Sequence, residues 1–378
     1  MLFLTRLFGV TGSDAERNLG AERAYTEEIV ERILLMQANA AAKQHRPFGR
    51  GTHAKGVPAR AQFEVFDVTV GRDTALAARL AKGIFATPGV YPATVRFANS
   101  DPHINSDFKP DVRSLSFFVD LTRDGTVVPA AGVERQDFSL QSATTLPIND
   151  ARAFLATMKL LTASSPAKGM WSLSLQDKLR VLRTLALVQL QVHQPLKPYQ
   201  NLRYWSNVPF RHGTVEVVKQ SATPSPGNLS RPLQRNNPDA LKDELVRHLE
   251  EDSTISSFDF GLQFLDTGRM TYWGKCRDAS FWIENASIEW NETQAPFHTV
   301  ARLSLLPKSQ LTTEASEAVY FDVTGNSTAD STPLGSINRA RWPAEVASRK
   351  SRMRADSDSE PQTSSGGTHR DGLTSFHG

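Results

Sequence analysis

The sequence has very little cysteine: Cys276 is the one cysteine among 378 residues. A single thiol excludes a disulfide within the chain and any zinc or iron–sulfur site built from several cysteines. It fits a protein of a reducing compartment, and we expect a cytoplasmic location. Long apolar runs are also lacking, so we expect no membrane span. Residues 1–10 are apolar but interrupted by Arg6, and they favour a terminal helix over an export signal.

Neither sign of charge dominates the chain. Lysine and arginine number 43 against 40 aspartates and glutamates, a net charge of +3. A nucleic-acid partner would need a concentrated basic face, so we expect none. Hydrophobic residues make up 39 % of the chain, which is enough for a sizeable core.

Periodicity predicts an α+β fold. Helical patterns are expected over residues 22–43, 149–163, 174–193 and 238–250. Alternating or β-rich patterns predict strands over residues 62–70, 92–99, 112–121, 257–266 and 297–305. Asp124-Gly125 predicts a hairpin turn, and the Ser-, Pro- and Asn-rich residues 220–236 predict a loop. Helices before and between antiparallel strands favour a central β-barrel, or a strongly twisted sheet, with helices around it.

Three segments follow from this organisation. We expect an N-terminal helical segment over residues 1–43 and one large domain over residues 44–352. Residues 353–378 are rich in Ser, Gly, Asp and Thr and predict a disordered tail.

Residues 50–56, R-G-T-H-A-K-G, carry the most specific pattern in the chain. Taken alone, His53 beside threonine and lysine is most often a surface or packed histidine. The whole string, followed by an aromatic-rich strand, resembles the distal haem-side motif of the catalase family. The resemblance implies that His53 is the distal acid/base and that Arg50 meets a haem propionate. Histidine suits this role because its ordinary pKa lies near neutrality.

Further matches follow in the family's order. Residues 94–100, T-V-R-F-A-N-S, are similar to the family's V-R-F segment, which implies that Arg96 reaches a haem carboxylate. Residues 111–118, D-V-R-S-L-S-F-F, resemble the D-V-R-G-F-x-x-K-F run, and residues 122–125 and 136–138 resemble the turn and strand after it. The similarity implies a catalase-like antiparallel β-barrel with haem b as the cofactor.

The chain departs from the family at the next distal position. The family has an asparagine two residues before a proline, and here Thr145 stands two residues before Pro147. A threonine hydroxyl can donate one hydrogen bond but reaches less far than an amide. We take Thr145 as a candidate catalytic residue with altered peroxide handling. Related haem proteins with altered distal pockets act on lipid hydroperoxides.

The proximal side departs further. Residues 333–341, P-L-G-S-I-N-R-A-R, resemble a bacterial catalase-like haem-binding subfamily, in which the last arginine precedes the iron-binding tyrosine by four residues. Here Arg341 is followed by Glu345, and Arg352 falls where the family has another supporting arginine. None of the tyrosines lies in this region; they are Tyr25, Tyr91, Tyr199, Tyr204, Tyr272 and Tyr320.

Glu345 therefore has two interpretations. It forms a helix-start salt bridge with Arg341, or it replaces tyrosine as a carboxylate ligand to haem iron. Because residues before proline avoid the α region, Pro343 predicts that Trp342 lies at or before the helix start. That prediction would leave Arg341 and Glu345 off a common turn.

Three functions compete at this stage. The resemblance favours a haem enzyme that decomposes hydrogen peroxide or an organic hydroperoxide and serves in oxidative stress. The loss of the tyrosine favours a haem-binding protein with little or no turnover. A scaffold that has lost haem is disfavoured, because unpaired buried arginines would be destabilising. The family's large catalases are tetramers, which suggests a homo-oligomer, although no feature of the sequence specifies one.

Overall fold

The computed structural model of the protein describes residues 22–43, 50, 52–123, 126–127, 132–252, 255–312, 315 and 318–359. The apolar segment 1–10, the predicted Asp124-Gly125 turn and the part of the predicted tail beyond Ser359 lie outside the described residues. Among the helices within them, none has the length and apolar character needed to cross a membrane.

Helices lie before, between and after runs of strands along the described chain. The helices, α1–α8 in chain order, include Glu22–Lys43, Thr74–Leu80, Ala151–Leu161, Pro166–Ser172, Leu175–Val192, Ala240–Glu251, Ala279–Glu284 and Ser336–Ser359. The strands, β1–β13, are Gly56–Val65, Gly89–Asn99, Arg113–Asp120, Thr122–Arg123, Thr126–Val127, Arg135–Gln141, Tyr204–Trp205, Phe210–His212, Glu216–Pro224, Ser257–Phe264, Thr271–Tyr272, Lys275–Cys276 and Phe297–Gln310.

Eight of these strands close an antiparallel barrel. Going round the ring, the order is β1, β2, β3, β6, β7, β9, β10, β13 and back to β1. Strand β8 pairs with β9 outside the ring. The predicted α+β fold with a central antiparallel barrel and surrounding helices is therefore confirmed.

Phenylalanine fills the barrel interior. Phe63, Phe117, Phe138 and Phe260 are buried there, and the rings of Phe117 and Phe138 stack with centroids 4.6 Å apart. Because alternate residues of a strand point to opposite faces, an interior packed with rings leaves the intervening residues on the outer wall. The barrel is thus a solid core, and functional residues have to lie outside it.

Strand β9 corrects one prediction. Its residues 220–224 were expected in a loop, because serine and proline are common there, but they pair with β10 along the strand. Serine hydroxyls make hydrogen bonds there: Ser206 Oγ accepts from the main-chain N–H of Gln220 at 3.0 Å, and Ser221 Oγ accepts from Arg203 Nε at 2.9 Å. Such bonds let serines occupy a buried strand, although the side-chain oxygen of Gln220 has no hydrogen-bond partner among the described residues.

The helices agree more closely with the sequence. Helix α1 has the predicted bounds, and Asp150 caps α3 by accepting a hydrogen bond from the Ala153 N–H at 2.8 Å. Ser174 caps α5 in the same way. Helices α1, α3 and α8 pack together through a small apolar cluster of Ile29, Ile33, Ala151, Leu155, Met158, Ala340 and Ala344. This layer lies outside the barrel.

Helix α8 starts earlier than predicted. It begins at Ser336 and continues through Pro343, and it ends at Ser359, past residue 353 where the tail was expected to begin. Bonds from elsewhere in the fold hold its start. The Ser336 N–H donates to Glu284 Oε2 at 2.8 Å, and the Arg339 guanidinium pairs with Glu22 and Glu284 at 2.7 and 3.2 Å. These tertiary contacts outweigh the local preference of proline against a helix interior.

Candidate functional site

A cavity of about 310 Å³ lies outside the barrel, where β3 and β6 face α8. Six of the seven predicted site residues line it: Arg50, His53, Arg96, Arg341, Glu345 and Arg352. Helices α1 and α3 contribute apolar side chains, among them Ile33 and Phe154. The fold thus brings both ends of the predicted site, separated by almost the whole chain, to one cavity.

His53 occupies an unusual backbone conformation just before β1. Its φ is 58°, in the left-handed region that few residues other than glycine adopt. The neighbouring chain holds it there, since its N–H donates to the Ser100 carbonyl at 3.2 Å and its own carbonyl accepts from Arg96 Nη2 at 3.0 Å. Ring atom Nδ1 lies 2.9 Å from Thr52 Oγ1. The hydrogen bonds of the His53 main chain therefore fix the direction from which the imidazole enters the cavity.

The surroundings keep His53 neutral. Burial, together with the charges of Arg96, Arg341 and Arg50, lowers the pKa of His53 to about 3. Both effects act in the same direction, because desolvation and nearby positive charge each disfavour the imidazolium. The imidazole therefore stays neutral over the ordinary pH range, with one of its two ring nitrogens unprotonated.

Gly56 makes room for Arg96. A Cβ atom built on Gly56 would lie 2.4 Å from Arg96 Cζ, which is closer than any normal contact. The guanidinium therefore lies directly over the glycine backbone, and Nη2 also reaches the Ala54 carbonyl at 3.5 Å. This explains physically why the H-A-K-G string ends in glycine.

Small polar side chains form the barrel wall of the cavity. Ser114 and Ser116 of β3 and Ser139 and Gln141 of β6 line it, on the face opposite the buried phenylalanines. Ser116 Oγ and Ser139 Oγ lie 3.3 Å apart across the two strands. Because three of these four side chains are serines, the wall leaves room for a ligand to lie close to the barrel.

Helix α8 brings Arg341 and Glu345 together. The Arg341 guanidinium donates to Glu345 Oε1 across one helical turn, so the salt-bridge geometry exists although Pro343 lies between them. Glu345 Oε2 is buried and has no hydrogen-bond partner among the described residues. Burial raises the pKa of the Glu345 carboxyl above its usual range, and Arg341 opposes this rise. One oxygen of the carboxylate is thus left to meet a ligand.

Thr145 is not among the residues that line the cavity. Its hydroxyl and its carbonyl both accept hydrogen bonds from Gln191 of α5, at 3.2 and 3.0 Å. Leu146, the next residue, faces the cavity instead. The structure therefore places the predicted distal hydroxyl against a helix rather than beside His53.

Sequence reasoning missed Asn207, which lines the same cavity. Asn207 is almost fully buried, has a φ of 59°, and its amide donates to the Ala143 carbonyl. Its only sequence signal is Asn207-Val208-Pro209, an asparagine two residues before a proline. This tripeptide lies far in sequence from Thr145, the position that the resemblance indicates for the distal residue.

The lining of the cavity fits a haem group. Five of its residues are arginines, Arg50, Arg96, Arg341, Arg349 and Arg352, while Glu345 is its one carboxylate. Such an excess of positive charge suits the two propionates of haem. The buried oxygen of Glu345 is a hard donor of the kind that oxidised iron accepts. Among the described residues, the cavity included, no group of three His, Cys, Asp or Glu side chains is placed to hold a metal ion.

Comparison with solved structures finds catalases. A fungal catalase matches with a TM-score of 0.58 at 12 % identity, over 84 % of this chain and 61 % of that chain. Catalase A from Saccharomyces cerevisiae gives 0.54 at 16 % identity, over 84 % and 62 %. A bacterial catalase gives 0.52 at 14 % identity, over 91 % and 62 %.

These similarities concern architecture. The chain spans about three fifths of the length of the catalases that it matches. No family model and no curated protein matches the sequence. The fold of this chain is that of the catalases, with the cavity described above lying against its barrel.

Proposed function

We propose that the chain binds haem b in this cavity and decomposes hydrogen peroxide or an organic hydroperoxide, as a catalase- or peroxidase-type oxidoreductase. The observation that carries the proposal is a single cavity holding a neutral His53, five arginines and a carboxylate with one unpartnered oxygen. The matched catalases supply the fold-level support. A cytoplasmic location and a homo-oligomer stay predictions.

The residues have separate tasks in this proposal. Arg50, Arg96 and Arg352 would hold the propionates, and Glu345, oriented by Arg341, would be the residue that binds the iron. Haem, when bound, supplies the redox chemistry that cleaves the O–O bond. The small side chains of β3 and β6 let a flat group lie close to the barrel.

His53 moves the proton. Because its pKa is about 3, its ring is neutral and can accept a proton from one oxygen of the hydroperoxide. A proton held so weakly is readily passed on to the other oxygen, the one that leaves. The bond from Arg96 to the His53 carbonyl fixes the main chain that carries the ring.

The visible spectrum of purified protein with added haem tests the cofactor. We expect a Soret band in the parent protein, and a shift toward a tyrosinate-type spectrum in Glu345→Tyr, because a phenolate donates more electron density than a carboxylate. Absence of haem uptake by both proteins would contradict the proposal and would leave a scaffold of catalase fold.

Turnover tests the role of His53. We expect His53→Ala to abolish oxygen evolution from hydrogen peroxide and peroxidatic dye oxidation while haem stays bound. His193→Ala, at an exposed histidine on the C-terminal end of α5, is the matched control. Haem uptake without turnover in the parent would support a haem-binding protein instead.

A further inference from the structure

Helix α5 carries apolar side chains on two opposite faces. Its inner face packs Val181 against Ala156 and Leu173. Its outer face exposes Leu175, Leu179, Leu182 and Leu190, by 75, 62, 54 and 69 %. At about 100° per residue, these four leucines fall on one stripe that points away from Val181. Packing within the described fold explains why the inner face is apolar. It does not explain the exposed leucines of the outer face.

The stripe continues onto helix α4. Trp171 is 83 % exposed, and Lys178 of α5 lies over its ring with Nζ 5.6 Å from the centroid. Lys168 stands three residues before Trp171 on the same short helix and is also exposed. We call the surface formed by Trp171 and the four exposed leucines the leucine face. An exposed tryptophan beside a leucine stripe has the composition of a membrane-surface helix.

Basic residues outnumber acidic ones in the segment that carries the leucine face. Between residues 161 and 197 the chain has Lys168, Lys178, Arg180, Arg183 and Lys197, against Asp177 as the one acidic residue. Asp177 pairs with Arg152 and Arg180, at 3.4 and 2.8 Å, on the inner side of α5. Arg180 belongs to that pair, and Arg183 donates to Asn149 Oδ1 and Ser287 Oγ at 3.0 and 2.8 Å. Lys178, which lies over Trp171, and the exposed Lys168 are therefore the basic groups of the leucine face, and α4 and α5 have no acidic residue apart from Asp177.

A second copy of the chain would be a poor partner for this face. Two leucine faces in contact would bring basic flanks against basic flanks, which repel each other. The helical stripe from Leu175 to Leu190 is about 23 Å long and about 10 Å wide. That is about 230 Å², well below the roughly 800 Å² per partner of a stable interface. A bilayer surface needs neither a matching shape nor a large contact.

We propose that the leucine face docks on the surface of an anionic lipid bilayer, with the leucines and Trp171 entering the boundary of the acyl chains and the lysines meeting lipid phosphates. The basic flanks supply the charge complementarity, and the leucines supply the apolar area that a headgroup layer buries. This property is independent of haem, so its test does not depend on the proposed chemistry.

Co-sedimentation of the full chain with lipid vesicles tests the inference. We expect binding to vesicles of phosphatidylcholine mixed with phosphatidylglycerol, much weaker binding to phosphatidylcholine alone, and a loss with rising salt. Leu179→Gln with Leu182→Gln should weaken binding by about tenfold or more, because two leucines lose their burial. Lys168→Gln with Lys178→Gln should weaken binding only to the anionic vesicles.

Val70→Gln with Val215→Gln is the matched control, since these valines are 72 and 85 % exposed and lie outside α4 and α5. The inference fails if the parent does not distinguish anionic from neutral vesicles, or if this control loses as much binding as the leucine variant. It also fails if sedimentation velocity shows a dimer that the leucine variant dissociates. A leucine variant with a lower Tm in the absence of lipid would show that the chain itself covers the face, and would equally overturn the proposal.

Discussion

The two sides of the cavity are held in different ways. His53 belongs to a segment whose backbone is tied to β2 and to Ser100, and the Arg96 guanidinium lies over Gly56 of the same segment. On the other side, Arg341 and Glu345 meet each other on a helix surface, with 28 and 27 % of their side chains exposed. The histidine side is fixed by main-chain packing, whereas the helix side depends on two exchangeable side chains.

This contrast teaches where substitution is tolerated. A change that disturbs the segment at residues 52–56 has to move strands of the barrel, because backbone hydrogen bonds and close contacts converge there. A change at position 341 or 345 alters one turn of a helix whose start is held by Glu284 and Glu22. We therefore expect the energetic effects of substitutions to fall from the histidine side to the helix side.

Lys55→Met should have the largest effect on stability. Lys55 Nζ lies 2.8 Å from Asp107 Oδ1 and 2.7 Å from Asp239 Oδ1, and the Asp107 side chain is fully buried. Removal of the cation leaves a buried carboxylate uncompensated, which costs about 3 to 5 kcal/mol of unfolding free energy. Urea unfolding of the parent and the variant measures this loss.

Lys109→Met is the control for that variant. Lys109 pairs with Asp101 at 2.9 Å, but 53 % of its side chain is exposed. An exposed pair contributes about 1 kcal/mol or less. If the two lysine variants lose the same unfolding free energy, the buried ion pair of Lys55 contributes no more to stability than the exposed pair of Lys109, and the contrast fails.

The pH dependence of stability should report on His53. Its pKa of about 3 in the folded protein lies below its ordinary value of 6.5, so protonation favours the unfolded chain. The stability of the neutral form is present above about pH 6.5 and is lost as the pH falls toward 3, by up to about 1.4 kcal/mol per unit.

Replacement of His53 measures that contribution. Between about pH 6.5 and 5, the parent should lose roughly 2 kcal/mol more than His53→Gln. Val215→Gln, at an exposed residue that does not titrate, should leave the pH slope of the parent unchanged. A parent and a His53→Gln variant with the same slope would mean that Arg50, Arg96 and Arg341 do not hold the imidazole neutral.

Gly56→Ala tests the close contact on the histidine side. The new methyl group would collide with Arg96, which has to move away from the His53 carbonyl. We expect a loss of about 1 to 2 kcal/mol in unfolding free energy, as for other overpacked sites. Gly227→Ala is the control, since its Cβ would meet only Ser225 Oγ at 3.8 Å. If Gly56→Ala is as stable as Gly227→Ala, the Arg96 side chain can move away from the new methyl group at little energetic cost.

The histidine side of the cavity can be predicted from the sequence because the residues that form it lie close together in the chain. The string at residues 50–56 joins directly to β1, so one motif locates His53 and the glycine that accommodates Arg96. Barrel strands such as β3 and β10 were predictable for a similar reason, since alternation of apolar residues is visible in a short window, whereas β9 was not. These features need no knowledge of what packs against them.

The remaining features depend on distant contacts. Thr145 turns toward Gln191 because of how α5 lies against α3, and no local pattern specifies that packing. Asn207 reaches the cavity from a separate segment of the chain. The early start of α8 depends on Glu284, which is far from Ser336 in sequence. Propensity alone predicts none of these arrangements, because tertiary bonds override it.

Arg341→Met should have the smallest effect on stability but should change the pKa of His53. The ion pair with Glu345 is partly exposed, so its loss should lower the unfolding free energy by only about 1 kcal/mol. The variant should also raise the pKa of His53, because Arg341 is one of the charges that lower it. A double-mutant cycle with Glu345→Gln isolates the pair, and an NMR titration of the imidazole follows its pKa. If the coupling energy between Arg341 and Glu345 is as large as the loss of unfolding free energy in Lys55→Met, the contrast fails. Both sides of the cavity would then be stabilised by buried charge to the same extent.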